Sequence, residues 1–193
     1  MNRSPEDTRL RLLAATRTLL AAKGRRGTTT REIADQAGVN EATLFRHFGS
    51  KDALVDACVE YYCRTVELEE LLASLDGDLE RDLRRIASAL MQRMESVRDL
   101  IVMSLAEENG NGTVGEAAWR APTAIKKIVA DYMAKRIAAG ELSGNPLFLA
   151  RFFMGMVFSY VMGRKRFPEE YAAEPAQVVD FQVHMFLNGA RKG

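Results

Sequence analysis

Histidine, cysteine, tryptophan and proline are all scarce in this chain of 193 residues, which has two His, two Cys, one Trp and five Pro. Two histidines leave general acid–base chemistry few candidates. No Ser/His/Asp set, Cys/His pair or HExxH string is present, so the chain reads as something other than an enzyme. Cys58 and Cys63 make no metal-ligand spacing with each other or with the distant His47 and His184. No metal and no cofactor is therefore expected, and both thiols are assigned packing or surface roles in a reducing compartment. The N-terminus, MNRSPEDTRL, lacks an apolar segment behind its first charges, which argues against a secretory signal. The longest apolar run, Phe152 to Met162, falls short of the roughly 18 residues that cross a bilayer. The expected location is the cytoplasm.

Net charge is also low, at +1, but it is unevenly spread. Residues 1–51 hold ten Lys/Arg against five Asp/Glu, while residues 52–193 hold 17 against 21. A basic end on an acidic body suits contact with a polyanion, because phosphate neutralisation supplies most non-specific nucleic-acid affinity. On charge alone, a chance imbalance of solvated side chains explains it equally well.

No stretch alternates strictly between apolar and polar; apolar residues recur instead at three- and four-residue spacing, which predicts an all-α chain. The first helix is expected from about Pro5 to Lys23, ended by Gly24, with Leu12, Leu13, Thr16, Leu19 and Leu20 inward and Arg9, Arg11 and Arg17 pointing away. Three short elements are expected between Thr29 and Phe48. A long linking helix is expected over 50–74, since Leu54, Cys58, Tyr61, Thr65, Leu68 and Leu72 keep helical spacing. Further helices are expected near 79–97, 98–107, 115–139, 146–162 and 175–188. Asn145-Pro146 supplies a cap and a first-turn proline. The last two helices are apolar nearly all round and must be covered on both sides, which a homodimer interface would do.

Residues 29–48, TTREIADQAGVNEATLFRHF, have a specific grammar. Thr29 and Glu32 make a capping box. Gly38 permits a sharp turn, Val39 plugs it, Asn40 caps a second helix, and Leu44 and Phe48 anchor that helix to the first. Two short helices joined through such a glycine form a helix-turn-helix, whose second helix reads the major groove with its first residues, here Glu41, Ala42 and Thr43. Ala42 or the Thr43 methyl can pack on a thymine methyl, and the Thr43 hydroxyl can bond a base or phosphate. Gly49-Ser50-Lys51 sets a helix start beside a lysine, a suitable phosphate clamp.

The run TTTREIADQAGVNEATLFRHFGSKDAL, about residues 28–54, resembles the DNA-binding signature of the tetracycline-repressor (TetR) family of bacterial transcriptional regulators. AAGELSGNPLFLARFF and FLNGA are similar to the approach to that family's first dimer helix and to the end of its last. The resemblance implies an N-terminal three-helix DNA-binding domain, residues 1–51, and a helical effector-binding and dimerisation domain, residues 52–193. It implies a repressor that binds double-stranded DNA at a palindromic operator, as a homodimer through helices near 146–163 and 175–189. It implies DNA contacts by Thr29, Arg31, Asn40, Ala42, Thr43, Phe45, Arg46, His47 and Lys51. Phe45 stands where the family mostly has Tyr, and Arg25 where an apolar residue often follows the glycine, adding a charge near DNA.

The resemblance further implies a small-molecule effector in the body of the chain. Nine Met residues suit an adaptable apolar cavity. The candidate wall is Cys58, Tyr61, Tyr62, Met91, Met94, Ile101, Met103, Leu105, Trp119, Phe152 and Met156, with the Asn-Gly loop at 109–112 as a gate. Two alternatives stand beside this reading. An effector-independent architectural or partner-recruiting dimer would carry the same N-terminal motif. A dinucleotide enzyme would use Gly110, Gly112 and Gly115, but that fingerprint needs a strand running into it, and a helix-like segment precedes it.

Overall fold

A computed structural model describes residues 4–63, 66–75, 77–108 and 115–190, with side chains described throughout except at 66, 104–108 and 115–122. Among the described residues there are ten helices and no strand: α1 (Pro5–Gly27), α2 (Thr30–Ala37), α3 (Glu41–Phe48), α4 (Lys51–Tyr62), α5 (Val66–Ala73), α6 (Leu79–Ser96), α7 (Arg98–Glu108), α8 (Gly115–Ala138), α9 (Pro146–Arg166) and α10 (Pro175–Ala190). The all-α expectation holds. The chain divides into two compact units, Met1–Arg64 with Asp99–Ala121, and Thr65–Arg98 with Pro122–Gly193.

In the first unit, α1 starts on Ser4, whose side chain accepts from the Asp7 N–H, and takes Pro5 in its first turn. Gly24, at φ +66° and ψ 177°, breaks the helix where expected, but a further turn carries it on to Gly27. The three short elements expected between Thr29 and Phe48 are two helices, because the turn at Gly38–Asn40 is too tight to hold a third. Leu12, Leu13, Leu20, Ile33, Leu44, Leu54, Val55, Cys58 and Val59 form the core, joined by Leu100 and Met103 of α7. Each such aliphatic side chain contributes about 1.5–3 kcal/mol on burial. All of the apolar face of α4 is spent here, so this compact unit reaches past Lys51.

The continuous helix expected over 50–74 is not found. α4 stops at Tyr62, where the Cys63 N–H still donates to Val59 O, and α5 begins at Val66. Cys63 is a weak helix former, and side-chain spacing alone does not register that cost.

The second unit packs α6 against both α9 and α10 around Leu83, Ile86, Leu90, Val129, Met133, Phe153, Val157, Val183 and Phe186. Asn145 caps α9 by accepting from the Leu147 and Phe148 N–H groups. Sequence runs understate α9: over its full length it is, among the described residues, the one helix long and apolar enough to cross a membrane. Here it buries Ala150, Phe153, Val157, Tyr160 and Val161 in the core. Polar groups also enter this core. The buried Asp82 carboxylate accepts from Arg136 Nη2 at 2.5 Å and from the Tyr132 hydroxyl at 3.1 Å, while Arg136 Nη1 reaches Gly77 O and Glu141. Burial pushes the Tyr132 hydroxyl up from its ordinary value, so it remains a donor.

Candidate nucleic-acid interface

The frame of the interface is built from caps. Thr29 Oγ1 accepts the Glu32 N–H at 3.2 Å, and the Glu32 carboxylate accepts the Thr29 N–H at 3.0 Å, so the capping box is complete. Lys23 Nζ donates to Glu32 at 2.6 Å, and with the Thr29 backbone it holds that carboxyl down at about 2. At the other end of α2, Gly38 adopts φ +66°, and Val39 N–H donates to Ala34 O at 3.0 Å. That left-handed cap turns the chain into α3 within three residues, which glycine alone does without steric cost.

α3 is started by Asn40, whose Oδ1 accepts both the Thr43 N–H, at 2.8 Å, and the Thr43 hydroxyl, at 2.7 Å. Leu44 is fully buried and fixes the helix to the core. The Thr30 hydroxyl donates to the Glu41 carboxylate, tying the first turn of α3 to the first turn of α2. The first turns of α2 and α3, which carry Thr29 to Arg31 and Asn40 to Thr43, are thereby joined. Arg31, Asn40, Ala42, Phe45 and Arg46 are exposed, with Phe45 at 44%, and Thr43 and His47 are half-buried. A short helix with a small-residue start and basic residues in its last turn is thus held outward by an apolar anchor. Such a helix can enter a major groove.

Lys51 sits differently from the clamp expected of it. Its Nζ donates to Arg25 O at 2.7 Å, closing the extra turn of α1, and the Thr28 N–H shares that carbonyl. Arg25, expected to add a charge near DNA, has only 14% of its side chain exposed and pairs with Asp52 at 2.7 Å. The same guanidinium holds the Asp52 carboxyl below its ordinary value. The arginines of α1 expected to point away also reach back. Arg9 stacks over the Phe48 ring at 4.8 Å, Arg11 Nη1 donates to Ala37 O at 2.8 Å, and Arg17 lies over Tyr62 at 4.6 Å. Their partners lie more than 25 residues away in sequence, so helical periodicity carries no sign of them. Glu41 was expected at the groove-reading start of α3, but its tie to Thr30 was not, because that contact joins two different helices.

The candidate effector wall is divided among several environments. Cys58 and Met103 belong to the core of the first unit, with Tyr61 and Tyr62 packed half-buried on it and Ile101 half-buried. Burial pushes the Cys58 thiol up to about 12, so it is an inert packing group rather than a nucleophile. Met91 belongs to the core of the second unit, with Met94 and Met156 against it. Phe152 is in neither core: it is 70% exposed on the outer face of α9. The side chains of Leu105 and Trp119, and residues 109–112 with Gly110 and Gly112, lie outside the described residues.

Sequence comparison matches this architecture. The family model "Bacterial regulatory proteins, tetR family" matches residues 12–58, spanning the capped helix pair and its core, and "AefR-like transcriptional repressor, C-terminal domain" matches residues 81–189. The chain belongs to the TetR family. Among similar TetR-type proteins, the HTH-type transcriptional regulator YvkB of Bacillus subtilis is 31% identical over 184 residues, covering 94% of this chain and 96% of YvkB. The HTH-type transcriptional repressor KstR2 of Rhodococcus jostii is 48% identical over 96 residues, which span 50% of this chain and 41% of KstR2. Among solved structures, a transcriptional regulator of Rhodococcus sp. Rha1 has a TM-score of 0.73 at 22% identity, covering 99% of this chain and all of that one. The fatty acid degradation regulator FadR of Bacillus halodurans has a TM-score of 0.78 at 13% identity, covering 98% of each chain. TetR-family regulators bind DNA and function as dimers. The chain is accordingly a helix-turn-helix transcriptional regulator.

Proposed function

We propose that the protein represses transcription in the cytoplasm by binding a palindromic operator as a homodimer, and that a small apolar effector releases it. It acts by binding rather than by catalysis. The observation that carries the dimer is the outer face of α9 and α10. Phe148, Phe152 and Leu147 on one helix and Phe181, at 67% exposure, and Met185 on the other lie in water in the single chain. Large apolar side chains grouped in this way mark an association surface. A second copy of the same two helices would cover them, bringing two α3 helices to half-sites about one helical turn apart.

Thr29, Arg31, Asn40, Ala42, Thr43, Phe45, Arg46 and His47 are the proposed DNA contacts, with Lys51 contributing a phosphate contact from the donors its bond to Arg25 O leaves over. For the effector, Cys58, Met91 and Met103 are already packed in cores. The half-buried Tyr61, Tyr62 and Ile101 of the first unit, and separately Met94 and Met156 of the second, are the candidates that can meet a ligand without opening a core. An effector acts only through different affinity for the two arrangements of the dimer.

Selection of binding sites from random duplex DNA at fixed salt tests this reading. An enriched palindrome, bound by a dimer, is the expected result. Retention of DNA without any enriched sequence would replace it with the architectural reading.

A further inference from the structure

The hydrogen bonds of α3 restrict what its first turn can say to a base. Thr43 N–H is a donor, so the Asn40 atom that meets it must be the amide oxygen rather than the NH2. The Thr43 hydroxyl meets that same oxygen and must therefore spend its one proton on it. Thr43 is left with lone pairs and a methyl group. Glu41 is an acceptor already, and the Thr30 hydroxyl fixes one of its oxygens without using the other. Neither residue can donate to guanine O6 or N7, to thymine O4, or to a phosphate. A carboxylate at this place is also repelled by the phosphate backbone, so its favourable partner is an amino group on a base edge.

We infer that Glu41 is a specificity-determining residue that selects a cytosine under the first turn of α3, its free oxygen accepting from the cytosine N4 amino group while Thr43 presents a second acceptor alongside. Cytosine is favoured over adenine because adenine sets an N7 acceptor beside its amino group, facing the carboxylate with a like lone pair. Thr30 is the positioning residue: its bond to Glu41 holds the carboxylate in one place before DNA arrives. The inference rests on the proposed operator reading and adds to it the identity of one base in each half-site.

The test is site selection with the full chain alongside Glu41→Gln and Thr30→Val, each first checked for an unchanged helical spectrum and dimer mass. The unmodified chain should enrich a palindrome with cytosine at one symmetric position per half-site. Glu41→Gln keeps the bond from Thr30 but offers both a donor and an acceptor, the pattern that pairs with adenine N6 and N7. Its preference at that position should move from cytosine to adenine by about 5- to 150-fold. Thr30→Val should keep the cytosine but weaken the preference for it. A palindrome whose bases and affinities are the same for the chain and for Glu41→Gln would overturn the assignment of Glu41 and leave the operator reading intact. Absence of any palindrome with the unmodified chain would overturn the operator reading and this inference together.

Discussion

On α2 and α3 the exposed side chains are Arg31, Asp35, Gln36, Ala42, Phe45 and Arg46, and each helix is started by a local side chain, Thr29 or Asn40, and ended by a glycine N–H. On α9 and α10 they include Leu147, Phe148, Phe152, Phe181 and Met185, while a charged pair, Asp82 and Arg136, is buried inside the unit. The first region shows water a largely polar, preorganised surface, with Phe45 the large apolar side chain it leaves exposed. The second buries charge and leaves aromatic rings outside. An outer face of that composition is incomplete in a single chain, whereas the helix-turn-helix is complete and waits only for an anion-rich partner. On this contrast rest the two proposed roles, nucleic acid for the first surface and a second copy of the chain for the other.

The largest expected effect attacks the buried charge. Asp82→Ala takes the acceptor from Arg136 Nη2 and from the Tyr132 hydroxyl, leaving Arg136 with Glu141 and Gly77 O, and should cost about 3 kcal/mol in urea unfolding, whereas Asp82→Leu combined with Arg136→Met should recover most of it. A single variant as stable as the parent would mean that water already satisfies the pair.

Next comes the outer apolar face. Phe152→Glu with Phe181→Glu changes two side chains that belong to neither core, so the fold should persist while the dimer dissociation constant rises about 100-fold or more by sedimentation. These substitutions are better probes than removal of α10, which would also take Val179, Val183, Phe186 and Leu187 out of the core. An unchanged dimer would move the interface elsewhere.

On the polar surface the effects are smaller. Thr29→Ala should lose about 1 kcal/mol of stability through the missing cap. Glu32 is held below its unfolded value, so its contribution is full above about pH 5 and is lost as pH falls towards 2. Glu32→Gln should flatten the acid side of a stability–pH profile, and a profile identical to the parent's would show that the capping box carries no linkage. The smallest change is Lys51→Ala, which should lower the slope of log affinity against log salt by about one and weaken all DNA sequences alike. If the slope stayed fixed while the melting temperature fell, Lys51 would serve only the Arg25 carbonyl.

Much of the N-terminal frame was legible because its determinants are local. Thr29 with Glu32, Gly38 and Asn40 each act within a few residues, and the structure places each at the cap or turn expected of it, as it does Asn145 at the start of α9 in the second unit. The 50–74 helix was misread because spacing reports which faces are apolar and not whether the backbone continues past Tyr62, where Cys63 ends α4. The wall of the effector site was less legible still. Cys58, Met91 and Phe152 have similar hydropathic character in sequence, yet one is in the first core, one in the second and one in water.

The amino-acid sequence by itself determined the helical class, the capped helix-turn-helix with its small-residue start, the family, and the apolar character of the last two helices, because these depend on residue type and on contacts a turn or two apart. Tertiary structure decided which arginines brace and which stay exposed, that Lys51 closes α1, that Thr43 spends its proton on Asn40, and which phenylalanines face outward. Those outcomes depend on distances between segments far apart in the chain, and no one-dimensional period encodes them.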